Sequence, residues 1–110
     1  MIFVTGPRYA GKKEYIRSAL GLSEAEFAAA AVCGAEMLVS RVDQVDAVYE
    51  QLRVRQIVIA SETGCGVVPI DPAEEERREA AGRLSCKLAA SADVVIRVVC
   101  GIPCFLKGNL

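Results

Sequence analysis

The chain opens Met1-Ile-Phe-Val-Thr-Gly-Pro-Arg-Tyr-Ala-Gly-Lys-Lys13, and the reading of this stretch decides the fold. Residues 1–5 are a short apolar run stopped by Gly6-Pro7, the pattern of a buried strand. From Gly11 the period changes. Tyr15, Ile16, Ala19 and Leu20 fall on one helical face while Lys12, Lys13, Glu14 and Arg17 project elsewhere. Gly21 stands where a helix C-cap would. A strand, a glycine-bounded loop and a helix form the context that a Gly-x4-Gly-Lys phosphate loop requires. Glycines let successive N–H groups turn inward, and the helix behind adds its partial positive end. The expected nucleotide-binding residues are therefore Gly6, Pro7, Arg8, Tyr9, Ala10, Gly11, Lys12 and Lys13. Lys12 would reach the outer phosphates as a point charge. The next position usually carries a Ser or Thr hydroxyl for Mg²⁺; Lys13 has none to offer. The expected cofactor is ATP or GTP, with Mg²⁺ left open and no metal ligand assigned. A plain glycine turn is the competing reading.

Outward from the loop, helices and strands alternate. Ser23 with Glu26 reads as a capping box, and Leu22 with Phe27 as its hydrophobic staple, opening a helix to about Ala30. Residues 31–39, interrupted by Gly34, fit either a short strand or a helical turn. Ser40 and Asp43 look like a helix start, with Val42, Val45, Val48, Tyr49 and Leu52 at helical spacing. Residues 56–60 (QIVIA) read as a second buried strand. Asp71-Pro72-Ala73-Glu74 gives an N-cap, a first-turn proline and an acidic third position, opening a helix to about Ala90. Its Ala81, Leu84 and Leu88 point inward. Residues 93–100 (DVVIRVVC) are the third strand, with Ile102–Leu106 a candidate continuation. This order predicts α/β architecture: a three-layer P-loop NTPase-like fold with a small, mostly parallel sheet, residues 1–110 forming one domain. Ligands of such sheets sit beyond the carboxyl ends of the strands, here residues 6–12, 61–70 and 101–105.

Composition narrows the function. The 110 residues are 53% hydrophobic and only 5% aromatic, which suits a sheet covered on both faces. So apolar a core in so short a chain favours burial against a second copy. Net charge is −1 without a basic run, so nucleic acid is not expected as a partner. No apolar stretch approaches the roughly 20 residues of a membrane span, and no export signal opens the chain. A cytoplasmic protein without membrane contact is expected. The five cysteines lack metal or disulfide spacing and read as reduced, small apolar residues. The chain has no histidine, which removes the commonest general base and any phospho- or nucleotidyl-histidine intermediate.

The second candidate segment is Glu62-Thr63-Gly64-Cys65-Gly66. Glu62, at a strand end beside the phosphate loop, would hold Mg²⁺ through water or orient a base. The alternative is a plain ion pair with Lys12, Lys13 or Arg83. Cys65 lacks the histidine that would activate it and is not expected to be catalytic. Among the basic residues of the long helix, Arg83 lies beside the apolar stripe and is the one expected to be structurally engaged. Lys12 and Glu62 are the two candidate catalytic residues.

The opening MIFVTGPRYAGK, the block SETGCGVVPIDP at 61–72 and the block AAGRLSCKLAASADVVIRVVCGIPCFLKG at 80–108 together resemble one family. It is the bifunctional adenosylcobinamide kinase/adenosylcobinamide-phosphate guanylyltransferases of cobalamin biosynthesis. The resemblance implies a P-loop fold, a nucleoside triphosphate at residues 6–12, cobinamide as substrate, and a homo-oligomer, trimeric in that family. Glu62 and Arg83 fall on its characteristic loop and helix. Between the phosphate loop and Arg55 the chain is much shorter than the full enzyme, which carries there the nucleotide-accepting histidine and a second acidic strand end. A histidine-dependent guanylyl transfer is therefore not expected. What is expected is a nucleotide-binding homologue able to retain kinase activity. A non-catalytic nucleotide or corrinoid binder, regulator or protein-association module is the alternative.

Overall fold

The computed structural model describes residues 1–63 and 71–110. Strand β1 (Ile2–Gly6) is flanked in parallel by β3 (Ile57–Ser61) and β4 (Val94–Val99), and β2 (Ala31–Cys33) pairs outside β3. Strand β5 (Ile102–Lys107) adds antiparallel to β4, giving the order β2-β3-β1-β4-β5. Helices α1 (Lys12–Leu20) and α2 (Glu24–Ala30) follow β1; α3 (Val45–Leu52) precedes β3, and α4 (Pro72–Ser91) precedes β4. The architecture is α/β with a mostly parallel sheet, as the alternation of elements predicts.

Strand side chains alternate between two apolar clusters, because successive residues point to opposite faces. Val4, Ile57, Ile59, Ile96 and Val98 pack with Ile16 of α1 and Phe27 of α2. Phe3, Val58, Ala60 and Val95 pack with Val45 and Leu52 of α3 and with Ala81, Leu84 and Leu88 of α4. The sheet is the middle of three layers.

Local signals explain most boundaries. The capping box forms as read: Glu26 N–H donates to Ser23 Oγ (3.1 Å) and Ser23 N–H to Glu26 Oε1 (3.0 Å). Asp71 caps α4 by accepting the Ala73 N–H at 3.0 Å. Residues 31–39 hold both readings in turn, strand β2 and then a 3-10 turn over Ala35–Leu38, divided at left-handed Gly34 (φ 71°). The start near Ser40 differs from expectation. A 3-10 turn at Val42–Gln44 precedes α3, and the Gln44 side chain accepts the N–H groups of Ser40 (2.8 Å) and Arg41 (3.1 Å). Ser40 is thus a backbone donor here, not a cap. In α1 only Ile16 and Lys12 are buried, whereas Ala19 and Leu20 are exposed.

Residues 102–106 do not extend the third strand; they return beside it. Val99 pairs with Ile102 across a two-residue turn, and both turn residues, Cys100 (φ 52°) and Gly101 (φ 75°), are left-handed. Two-residue hairpins need this backbone because its twist matches that of the strands. All six β5 residues are exposed. Among the described residues no helix is long and apolar enough to cross a membrane.

At Gly6 (φ 149°) an added Cβ would lie 2.2 Å from the Val98 carbonyl oxygen, which is backbone and cannot yield cheaply. Gly6→Ala should therefore destabilise the fold by about 3 kcal/mol or more, since strain and overlap add. An unchanged urea midpoint would refute this account of the β1–β4 approach.

Candidate functional site

The carboxyl ends of β1, β3 and β4 converge on one edge of the sheet, where residues 6–12 make their turn. Gly6 faces Ser61 in the parallel register, and the Glu62 N–H donates to Gly6 O at 2.9 Å. On the other side the β4–β5 turn braces the loop: Gly101 N–H donates to Ala10 O at 2.7 Å. A Cβ on Gly11 would stand 3.4 Å from Gly101 Cα. The loop is clamped between two neighbouring strand ends.

Within the loop, Tyr9 (φ 58°) and Gly11 (φ 83°) are both left-handed. A non-glycine residue in this region carries strain of order 1 kcal/mol or more, and such outliers cluster at functional turns. The Tyr9 side chain is fully exposed, so packing does not impose its conformation. Helix α1 begins at Lys12 with no side-chain cap on Gly11. Among the described residues no side chain caps its first N–H groups, the arrangement that a phosphate cradle uses.

Lys12 was expected to project away from the apolar face; instead it is buried, 8% exposed. Its Nζ donates to Pro7 O at 2.6 Å, closing the loop across its own mouth. Burial lowers the Lys12 pKa, and the carboxylates of Glu36 and Glu62 oppose that shift. Lys13, next in line, is exposed. The structure thus brings Gly6, Pro7, Ala10, Gly11 and Lys12 together around one turn, with Arg8, Tyr9 and Lys13 exposed about it.

Glu62 lies at this edge, and it has a partner that the sequence reading did not name. Arg97 on β4 engages both carboxylate oxygens, Nε to Oε1 at 2.5 Å and Nη2 to Oε2 at 3.0 Å. This fork geometry is the strongest form a guanidinium–carboxylate contact takes. Arg83 is instead on the exposed side of α4, bonded to Glu79 one turn away at 2.8 Å. It is engaged, but not at this site. Residues 64–70, including Cys65 and most of the glycine-containing segment, lie outside the described residues.

Sequence reasoning missed Arg97 and Glu36. Arg97 was hidden as one charge inside an apolar strand; a lone arginine in a buried strand is itself a signal, because it demands a partner. Glu36 sat in the ambiguous segment after β2. It is 6% exposed and accepts the Ser61 N–H on Oε1 at 2.9 Å.

A divalent cation at this edge would need oxygen donors, and the Lys13 side chain supplies none; among the described residues the carboxylate of Glu62 is the nearest strand-end candidate. Among the described residues no group of three or more His, Cys, Asp or Glu forms a metal site by itself.

The Arg97–Glu62 pair is partly solvated, with side chains 43% and 21% exposed, so screening limits its worth. A double-mutant cycle over Arg97→Ala and Glu62→Ala in urea should give a coupling of about 1 kcal/mol. Strict additivity would show that the pair contributes nothing to stability.

A family model described as cobinamide kinase / cobinamide phosphate guanyltransferase matches residues 19–106. That span begins inside α1 and includes Glu36, Glu62, Arg83 and Arg97, so it is independent of residues 6–12. No curated protein matches the chain.

Proposed function

The chain belongs to the cobinamide kinase / cobinamide phosphate guanyltransferase family, and on that premise we propose that it binds ATP or GTP at residues 6–13 and transfers the γ-phosphoryl group to a hydroxyl of cobinamide. The observation that carries this reading is the turn itself: a left-handed, uncapped helix entry with a lysine folded into its mouth. Family membership supports a role in cobalamin biosynthesis.

In the proposed step the acceptor oxygen forms a bond to the γ-phosphorus while the bond to the β–γ bridging oxygen breaks. The nucleoside diphosphate leaves with that oxygen. Lys12 exchanges Pro7 O for phosphate oxygens and balances the charge spreading over them. Backbone N–H groups at the start of α1 hold the same oxygens. Glu62, kept in one rotamer by Arg97, orients the acceptor hydroxyl and takes its proton. Mg²⁺, when bound, would supply positive charge that offsets the negative charge of the phosphates. The chain has no histidine, so a histidine-dependent guanylyl transfer is not part of the proposal.

Calorimetric titration with ATP and GTP tests the binding half. Lys12→Ala should weaken binding roughly tenfold to a hundredfold, the worth of a hydrogen bond to a charged group. Equal affinity in the variant, or no binding by the parent chain, would end the reading. Because Lys12 must be protonated to hold phosphate and burial lowers its pKa from 10.5, affinity is full below the lowered value. It is lost as pH rises through that value, short of the ordinary lysine range; Lys12→Arg should remove this alkaline loss. Mass spectrometry of cobinamide incubated with nucleotide tests the transfer half. Binding without phosphorylated product would favour a non-catalytic nucleotide or corrinoid binder.

We extend the proposal to self-association. Ile102 (68% exposed), Leu106 (60%) and Phe105 (40%) are exposed apolar residues of β5, and among the described residues no strand pairs with its outer backbone edge. A second copy of this chain is the proposed occupant, since β5 continues a sheet that each copy presents identically. Ile102→Glu with Leu106→Glu should reduce the sedimentation mass to that of one chain; an unchanged larger mass would place the interface elsewhere.

A further inference from the structure

Helices α1 and α2 and the end of β2 enclose a cleft of about 360 Å³ beside the turn of residues 6–12. Phe27, 6% exposed, gives it an apolar wall together with Ala28 and Ala31. On the α1 side it is lined by Lys13, Glu14 and Arg17, and on the α2 side by Glu24. Arg17 is already engaged: it lies 3.6 Å from Glu24, and its Nε donates to Leu22 O at 3.3 Å. The side chains of Lys13 and Glu14 form no hydrogen bond or ion pair among the described residues. Cys33, the last residue of β2, also lines the cleft. Burial raises its thiol pKa, and the Lys13 charge opposes that shift.

The charges left over select the ligand. A phosphate or carboxylate would suit Lys13 but meet Glu14 and Glu24; a cation would suit the carboxylates but meet Lys13 and Arg17. A neutral carboxamide answers both, since its carbonyl oxygen accepts from an ammonium and its N–H groups donate to a carboxylate. The cleft is at the small end of ligand cavities, so it has room for one side arm of a large molecule and not for a macrocycle. Position selects the role. Lys13 directly follows Lys12, the residue that a phosphate loop sends to the outer phosphates. The cleft therefore borders the reacting end of the nucleotide, where an acceptor has to be held.

We propose that the cleft between α1 and α2 docks the acceptor by a carboxamide-bearing side arm of cobinamide, with Lys13 Nζ donating to the amide oxygen, the Glu14 carboxylate accepting an amide N–H, and the arm's methylenes lying on Phe27. The start of α1 then serves two ligands. Its backbone N–H groups hold phosphate, while the Lys13 side chain, in place of the usual hydroxyl, holds the acceptor. The inference rests on the proposed phosphoryl transfer to cobinamide and deepens it.

The test titrates cobinamide and ATP separately into the parent chain and into Ala28→Trp. Ala28 is exposed on α2, so the indole fills the cleft without entering the core, and thermal unfolding confirms that the variant is folded. Calorimetry should show cobinamide binding to the parent chain and binding about tenfold weaker, or less, to Ala28→Trp, a tenfold step being about 1.4 kcal/mol. ATP affinity should be equal in the two chains. Alkylation by iodoacetamide, read by peptide mass spectrometry, gives a second measurement on the parent chain alone, and it decides the matter if the variant does not fold. Saturating cobinamide should slow the reaction of Cys33 severalfold and leave that of Cys86, exposed on α4, unchanged. ATP should slow neither. Cobinamide binding that leaves Cys33 unprotected, or that keeps its affinity in folded Ala28→Trp, overturns the assignment. So does protection of Cys33 by ATP alone, which would make the cleft a nucleobase site. If the parent chain binds ATP but not cobinamide, the inference falls together with the transfer half of the functional reading, while nucleotide binding stands.

Discussion

Strand β1 is paired on both sides in parallel, and its last residue has no room for a side chain. Gly6 stands against the Val98 carbonyl on one side and faces Ser61 on the other. That close approach fixes where the chain leaves the sheet, and so where residues 7–11 begin their turn. The hydrogen bonds from Glu62 to Gly6 and from Gly101 to Ala10 follow from this spacing. Because a parallel sheet buries both faces, the position of β1 also sets which residues meet α1 and α2 and which meet α3 and α4. The loop geometry is thus a consequence of core packing, not an addition to it.

The site is built on an electrostatic arrangement that would be costly anywhere else. A lysine is buried at the mouth of a loop, with two carboxylates nearby that keep its charge tolerable. One carboxylate, that of Glu62, is held on both oxygens by the partly exposed Arg97 of β4. The other is held by a single backbone N–H. Charges left so nearly balanced, in place of apolar side chains, lower stability relative to a plain core. Such a compromise is characteristic of places where a protein handles a charged ligand.

Much of this was legible in the sequence. Residues 1–13 announce strand, loop and helix by a change of period at two glycines, and Ser23, Glu26, Asp71 and Pro72 mark helix starts by chemistry that acts within three residues. What escaped depends on long-range pairing. Gln44 reaches back to accept the N–H groups of Ser40 and Arg41, and the helix start lies after Gln44 and not at Ser40. Arg97 and Glu62 are distant in sequence and meet across the end of β1, which β3 and β4 flank. Glu36 acquires its burial from a turn that Gly34 permits, and no local pattern encodes the destination. The reversal at Cys100-Gly101 was obscure because cysteine is an unusual occupant of a left-handed turn position.

That reversal has a consequence for how the chain can vary in length. The hairpin is tied to the turn of residues 6–12 by the bond from Gly101 N–H to Ala10 O. In most surface hairpins a residue can be added at the tip with little effect. Here an inserted residue would carry the donor away from Ala10 and move the backbone that lies against Gly11. The tip of β4–β5 is on the surface by exposure, yet it is interior by dimension. Its length is set by the loop it supports, and changes in chain length are better accommodated at other bends.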